Sequence, residues 1–177
     1  MIRIFTDGAA QGNPGPGGYG VILKYGQFVK ELSEGFRLTT NNRMELLAVI
    51  KGLEALKKEG IPVSIFSDSE YVINAVEKGW LWTWQKKNFK DKKNADLWLR
   101  YIPLHQKYKP RFTWVKGHAG HAENERCDFL AVAAATGPNL LIDEVYERTR
   151  RTKKRKPAHK SAGCSSHFKL NFTGQSL

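Results

Sequence analysis

Four acidic residues, Asp7, Glu45, Asp68 and Asp128, lie in four separate segments of the chain, each beside a structural start or stop signal. Asp7 closes the apolar run Ile2-Arg3-Ile4-Phe5-Thr6, and Asp68 closes Val63-Ser64-Ile65-Phe66-Ser67. Glu45 opens a long helical pattern and Asp128 sits inside another. Carboxylates brought to one partly dry point repel and raise one another's pKa unless a cation joins them. Hard oxygen donors, with no sulfur or histidine at ligand spacing, favour Mg²⁺ or Mn²⁺. The chain as a whole carries a formal charge of +12. Acids gathered inside a basic protein point to metal chemistry on a polyanion.

The elements that must position these acids follow from periodicity. Residues 2–7 read as a strand, and the Gly/Pro-rich stretch 12–18 reads as a turn-rich linker, excluded from helix or strand interior. Segments 19–25 and 27–35 read as a hairpin about Gly26. From 41 to about 58 the period becomes helical, with Leu46, Val49, Ile50, Leu53 and Leu56 on one stripe and Thr40 or Asn41 as N-cap. Glu45 falls at the border of that stripe, and Gly52 in mid-helix signals close packing. A buried strand at 63–67 precedes helical segments at 69–77, 80–85 and 96–107. A strand at 111–115, a Gly/His loop at 116–122 and a helix at 123–136, closed by Gly137-Pro138, complete the pattern. Strands that first meander and then alternate with helices predict an α/β fold around a mixed sheet. Asp7 and Asp68 then occupy carboxyl ends of strands, the edge of an open sheet where ligands bind.

A chain of 177 residues with 41% hydrophobic content supports one well-buried domain, and no apolar run is long enough to span a membrane. The start at Met1-Ile2-Arg3-Ile4 enters a strand directly, which predicts no leader peptide and a cytoplasmic protein. Cys127 and Cys164 are too few for a disulfide framework, in keeping with a reducing compartment. The pI near 9.8 points to an acidic partner, nucleic acid first. Two basic clusters, at 86–93 and 148–156, favour that partner over a merely soluble basic surface. The expected organisation is a catalytic domain over 1–146 and a basic, flexible tail over 147–177, in which 167–172 could form a short strand.

Each acid taken singly has a plainer reading: Glu45 as a first-turn charge, Asp7 and Asp68 as turn formers, Asp128 as a solvated helix residue. The flanking residues decide otherwise. Thr6-Asp7-Gly8-Ala9, Thr39-Thr40-Asn41-Asn42-Arg43-Met44-Glu45-Leu46, Ser67-Asp68-Ser69-Glu70-Tyr71-Val72, Trp114-Val115-Lys116-Gly117-His118-Ala119-Gly120-His121 and Glu123-Asn124-Glu125-Arg126-Cys127-Asp128 occur in this order. Over residues 1 to about 137 this closely resembles bacterial-type type 1 ribonuclease H.

That resemblance implies a ribonuclease H-like fold with a central five-stranded mixed sheet flanked by helices. It also implies Mg²⁺-dependent cleavage, with Mn²⁺ as a possible substitute, of the RNA strand of RNA–DNA hybrids. Asp7, Glu45, Asp68 and Asp128 match the metal ligands of a two-ion hydrolysis that leaves a 5′-phosphate and a 3′-hydroxyl. His118 matches the family's loop histidine, suited to shuttling a proton or aiding product release, with Glu125 a weaker candidate for positioning it. A His118–His121 zinc pair is the rival reading, disfavoured for want of a second ligand pair; His121 reads as a helix cap. Asn13 and Asn94 match hybrid-contacting positions, and Thr40 and Asn41 match a pocket for a DNA phosphate. Trp80 and Trp84 resemble the DNA-strand channel, although aromatics of this size also serve as core. Glu70 departs from the family by standing where close relatives often carry Gln; it could still accept from a 2′-hydroxyl. The expected partner is a hybrid duplex bound by a monomer. A DNA-directed nuclease or transposase of the same fold, or a non-catalytic hybrid- or RNA-binding module, are the alternatives.

Overall fold

Apolar alternation along β1 (Ile2–Ala10) sends Ile2 and Ile4 to one face of the sheet and Phe5 to the other. The structure, a computed structural model, describes residues 1–117 and 120–155, the side chains of 153–155 excepted. β2 (Gly15–Tyr25) pairs antiparallel to β1, and β3 (Phe28–Thr39) pairs antiparallel to β2 at the sheet edge. β4 (Val63–Ser67) and β5 (Arg111–Trp114) run parallel to β1. The order β3-β2-β1-β4-β5 is the expected five-stranded mixed sheet.

Helix α1 (Asn41–Glu54) buries Leu46, Val49, Ile50 and Leu53 against Ile4 and Val21 on one face. Gly52 permits this approach, since a Cβ there would lie 2.7 Å from Ile4 Cγ2. The same core continues through α2 (Glu70–Glu77), α3 (Trp80–Lys86) and α4 (Ala95–Tyr108), with Trp98 and Tyr101 fully enclosed. On the opposite face α5 (Ala122–Thr136) packs through Cys127 onto Phe5 and Ile22. Among the described residues no helix is long and apolar enough to cross a membrane.

Two expectations give way to the structure. The Gly/Pro stretch 12–18 is not wholly linker, because β2 begins at Gly15 and carries Gly17, Gly18 and Gly20 inside the sheet. Their function is steric. A Cβ on Gly18 would stand 2.6 Å from the Ala131 carbonyl oxygen, and one on Gly20 would strike the Cys127 carbonyl, so these glycines let the α5 backbone lie directly on the strand.

The second concerns the C-terminus. α6 (Glu144–Arg155) runs across the expected boundary at 146–147, and Leu141 bridges in parallel to Phe36 on the edge strand β3. The docked face of α6 is ionic, which is why no apolar period announces it: Glu147 accepts two bonds of 2.8 Å from Arg37, and Asp143 is held by Arg43. The strand expected at 167–172 lies outside the described residues.

Candidate active site

Strand register brings the first two acids together. Phe5 on β1 pairs with Phe66 on β4, and each acid stands two residues further along its chain, at the carboxyl edge of neighbouring parallel strands. Gly8, immediately after Asp7, has no Cβ; one there would overlap the backbone of Met44 and Glu45, so β1 and the first turn of α1 touch and Glu45 joins the pair. Ligand oxygens of Asp7, Glu45 and Asp68 all lie within 4.8 Å of one another. Asp128, half-buried next to Cys127 in α5, falls outside this group of three. Its charge is nonetheless felt at Asp7.

The electrostatics are those of an uncompensated anion cluster. Burial, then the Asp68 charge, pushes the Asp7 carboxyl up to about 7, partly opposed by the Gly8 amide, which donates to Asp7 Oδ1 at 2.7 Å. Glu45 is driven well above the usual carboxylate range by burial and by the Asp7 and Asp68 charges. Glu45 Oε2 and Asp68 Oδ1 are buried and have no hydrogen-bond partner among the described residues. Buried lone pairs without donors are costly unless a cation takes them up, and three hard oxygens fit Mg²⁺ or Mn²⁺. The donor set therefore fits a divalent ion.

Neighbouring groups hold the acids in place. Asn41 Nδ2 donates to Glu45 Oε1 at 3.4 Å, and the Asn41 amide donates to Asn13 Oδ1 at 3.2 Å, which links the 11–14 turn to the start of α1. Thr40 occupies the N-cap position as expected, but its side chain makes no capping bond, contrary to the cap reading. The amides that open α1 are largely paired, Asn41 with Asn13 Oδ1 and Arg43 and Met44 with the Thr40 carbonyl. On the other flank the Val115 amide donates to the Ser67 carbonyl at 3.0 Å, and Gly117 backs directly onto Asp68. Glu70 is exposed at the first position of α2, and Glu125 is exposed on α5. His121 takes the N-cap position of α5 without a side-chain bond, and His118 lies outside the described residues.

The tryptophans divide between core and surface. Trp84 meets Trp98 edge-on at 5.9 Å, whereas Trp80 is 45% exposed; their own rings are 6.5 Å apart. Lys78 stands over Trp80 and Lys92 over Trp84, each at 5.2 Å, which makes an aromatic shelf with cationic edges. Asn94 is turned inward: its Nδ2 donates to Tyr71 Oη at 3.1 Å, and its Oδ1 accepts from Arg43 at 3.4 Å. Sequence reasoning passed over Arg43 itself. Arg43 is 3% exposed and forks onto both Asp96 and Asp143, with its four bonds to these two acids between 2.7 and 2.9 Å. No periodic signal separates a buried arginine from a surface one in a helix rich in polar residues. Asn124, also buried with its Oδ1 unpartnered among the described residues, was equally invisible.

The family model described as RNase H matches residues 1–136. The chain belongs to the ribonuclease H family. As a member it is a nuclease, a hydrolase of phosphodiester bonds. It is 58% identical over 147 residues to a ribonuclease H of Desulforamulus reducens, covering 80% of this chain and 92% of that one. Among solved structures it is similar to LC9-RNase H1, a type 1 RNase H with the type 2 active-site motif (TM-score 0.69, 30% identity, 84% of this chain and 79% of that one). It also resembles LC11-RNase H1 in complex with RNA/DNA hybrid (TM-score 0.61, 25% identity, 76% and 96%). Family, sheet and carboxylate group agree.

Proposed function

We propose that the protein cuts the RNA strand of RNA–DNA hybrids endonucleolytically, with two Mg²⁺ ions held by Asp7, Glu45, Asp68 and Asp128, leaving 5′-phosphate and 3′-hydroxyl ends. The observation that carries this reading is the group of three carboxylates whose buried oxygens lack donors. When bound, the ions would activate water and offset charge on the leaving oxygen. The remaining work falls to the chain. Asp7 and Glu45 lose the protons that burial favours, Asn41 fixes one Glu45 oxygen, and Gly117 leaves room for Asp68. Thr40 and Asn41 at the N-terminus of α1 receive a DNA-strand phosphate, with Asn13, which accepts from the Asn41 amide, shaping that pocket. Trp80, Trp84 and their lysines support the DNA strand, and Glu70 at the head of α2 accepts from a ribose 2′-hydroxyl. His118 is assigned proton transfer in turnover, and inward-facing Asn94 a positioning role through Arg43.

The test compares labelled RNA–DNA hybrid, double-stranded RNA and double-stranded DNA, with Mg²⁺, Mn²⁺ or chelator. Cleavage confined to the hybrid and abolished by chelator is expected; cutting of double-stranded DNA at a similar rate would overturn the substrate. Asp7→Asn is expected to keep hybrid affinity while losing at least a thousandfold in rate.

A further inference from the structure

Helix α6 is fastened to the body along one face only. Asp143, Tyr146, Glu147 and Arg150 recur at helical spacing on the docked side, with the Arg43 guanidinium 5.4 Å from the Tyr146 ring centre. Arg148 stands exposed on the other side, while exposed Arg151, one turn after Glu147, lies at the margin of the docked face. Between α6 and β3 lies a cleft of about 190 Å³ lined by Leu38, Glu147, Arg150 and Arg151. That is several times the ~30 Å³ share of a water molecule.

The charges in this cleft do not cancel. Glu147 is already matched by the Arg37 fork at 2.8 Å and approached by Arg151 at 3.6 Å. Among the described residues Arg150 has no acidic partner, and its Nη1 is buried without a hydrogen-bond acceptor. A buried guanidinium donor lacking an acceptor is unfavourable, and the group that satisfies such a fork best is a phosphate or carboxylate. The cleft's position selects between these. Leu38 is two residues before Thr40, about 7 Å along an extended strand, a span that one or two steps of a nucleic-acid backbone can bridge. Thr39, between them, donates to Asp143 Oδ2 at 3.2 Å, so the start of α6 and the Thr40–Asn41 amides share the end of one strand.

We propose that this cleft is a second anchor for the nucleic-acid backbone, in which Arg150 and Arg151 take a phosphate one to two steps from the one received at Thr40–Asn41. The inference rests on the hybrid being the substrate. Arg148 and the sequence Lys153-Lys154-Arg155 extend the same cationic helix. The contact is to backbone only and carries no base preference.

The experiment measures affinity for a hybrid of about 20 base pairs across a salt series, in an Asp7→Asn background so that nothing is cut. Replacing Arg150 and Arg151 together by Gln is expected to weaken binding about tenfold and flatten the log–log salt slope by about one, since each duplex phosphate contact contributes about 0.9. Lys at both positions is expected to restore the slope, and kcat at saturating hybrid in the otherwise unaltered protein to stay within twofold. Independently of any protein variant, a DNA strand with an uncharged methylphosphonate one to two steps from the pocket phosphate should show the same loss. Unchanged affinity and slope for the Gln variant, or full affinity for the uncharged linkage, would overturn the anchor. A parent protein with no preference for hybrid over double-stranded DNA would instead overturn the substrate.

Discussion

Asp7 and Asp68 stand level with each other on neighbouring parallel strands, each two residues beyond the Phe5–Phe66 pair, whose rings stack at 4.8 Å. Their closeness is thus a property of the sheet register, the most rigid part of the fold. Register forces two like charges together in a partly buried place, and α1 adds a third at Glu45. Without a cation, the folded state answers by binding protons.

A pH dependence of stability with an unusual sign follows. The Asp7 carboxyl rises from 3.8 to about 7 on folding. Between those values the folded protein keeps a proton that the unfolded chain has released, so stability of the metal-free protein falls as pH rises through that window. The loss across the whole window is on the order of 4 kcal/mol, and the upward shift of Glu45 adds in the same direction. Paired acids such as Asp96, held below their ordinary range, lose stability only at more acidic pH. With chelator present, Tm is expected to be higher near pH 5 than near pH 8, and Asp7→Asn to flatten the difference. Mg²⁺ should raise Tm more at the higher pH, where its ligands are ionised. A Tm in chelator that climbs steadily over this range would refute the cluster's electrostatics.

Much of this was legible from residue types, for a physical reason. Acids at strand ends and helix starts are placed by local period, and β4 could be read to the residue from its β-branched run. What escaped was set by tertiary contact. The glycines of β2 look like linker until the α5 backbone is laid on them, and α6 looks like solvated tail until Arg37 and Arg43 supply its ionic floor. Asn94 read as a substrate contact, yet its amide points to Tyr71 and Arg43, partners invisible along the chain.

Gly117 isolates metal affinity from folding. Its φ is not in the left-handed region, so Ala there carries no backbone strain, but the new Cβ would lie 2.6 Å from Asp68 Oδ2. Only the carboxylate has to yield. Gly117→Ala is expected to raise the Mg²⁺ concentration for half-maximal rate at least tenfold while changing stability by less than about 1 kcal/mol. An unaltered metal requirement would mean that Asp68 can rotate without consequence.

The two tryptophans of the shelf should separate by readout. Trp84 packs edge-on against fully buried Trp98, so Trp84→Ala opens a void at the core margin and should cost about 2–4 kcal/mol in urea unfolding. Trp80 is exposed and touches Lys78, so Trp80→Ala should leave stability within about 0.5 kcal/mol yet raise KM for hybrid several-fold. Equal stability losses for the two would contradict their different packing.

Arg43 joins three elements, and its two acids should not be equivalent. The Asp143 side chain is 9% exposed and Asp96 27%, so removing the guanidinium strands a nearly dry carboxylate at Asp143 and a partly wet one at Asp96. Arg43→Ala should therefore cost about 3–5 kcal/mol, the penalty for orphaning a buried charge. Asp143→Asn and Asp96→Asn remove an acid each but leave the arginine one partner, and should cost less. Only the first loosens α6, because Asp143 also accepts from Thr39 and from the Tyr146 amide. Hydrogen exchange is expected to quicken across 144–152 in Asp143→Asn and to stay near the parent rate in Asp96→Asn. Exchange that stays near the parent rate in both would show that α6 is held by Arg37 and Glu147 alone, with Arg43 serving only the packing between α1 and α4.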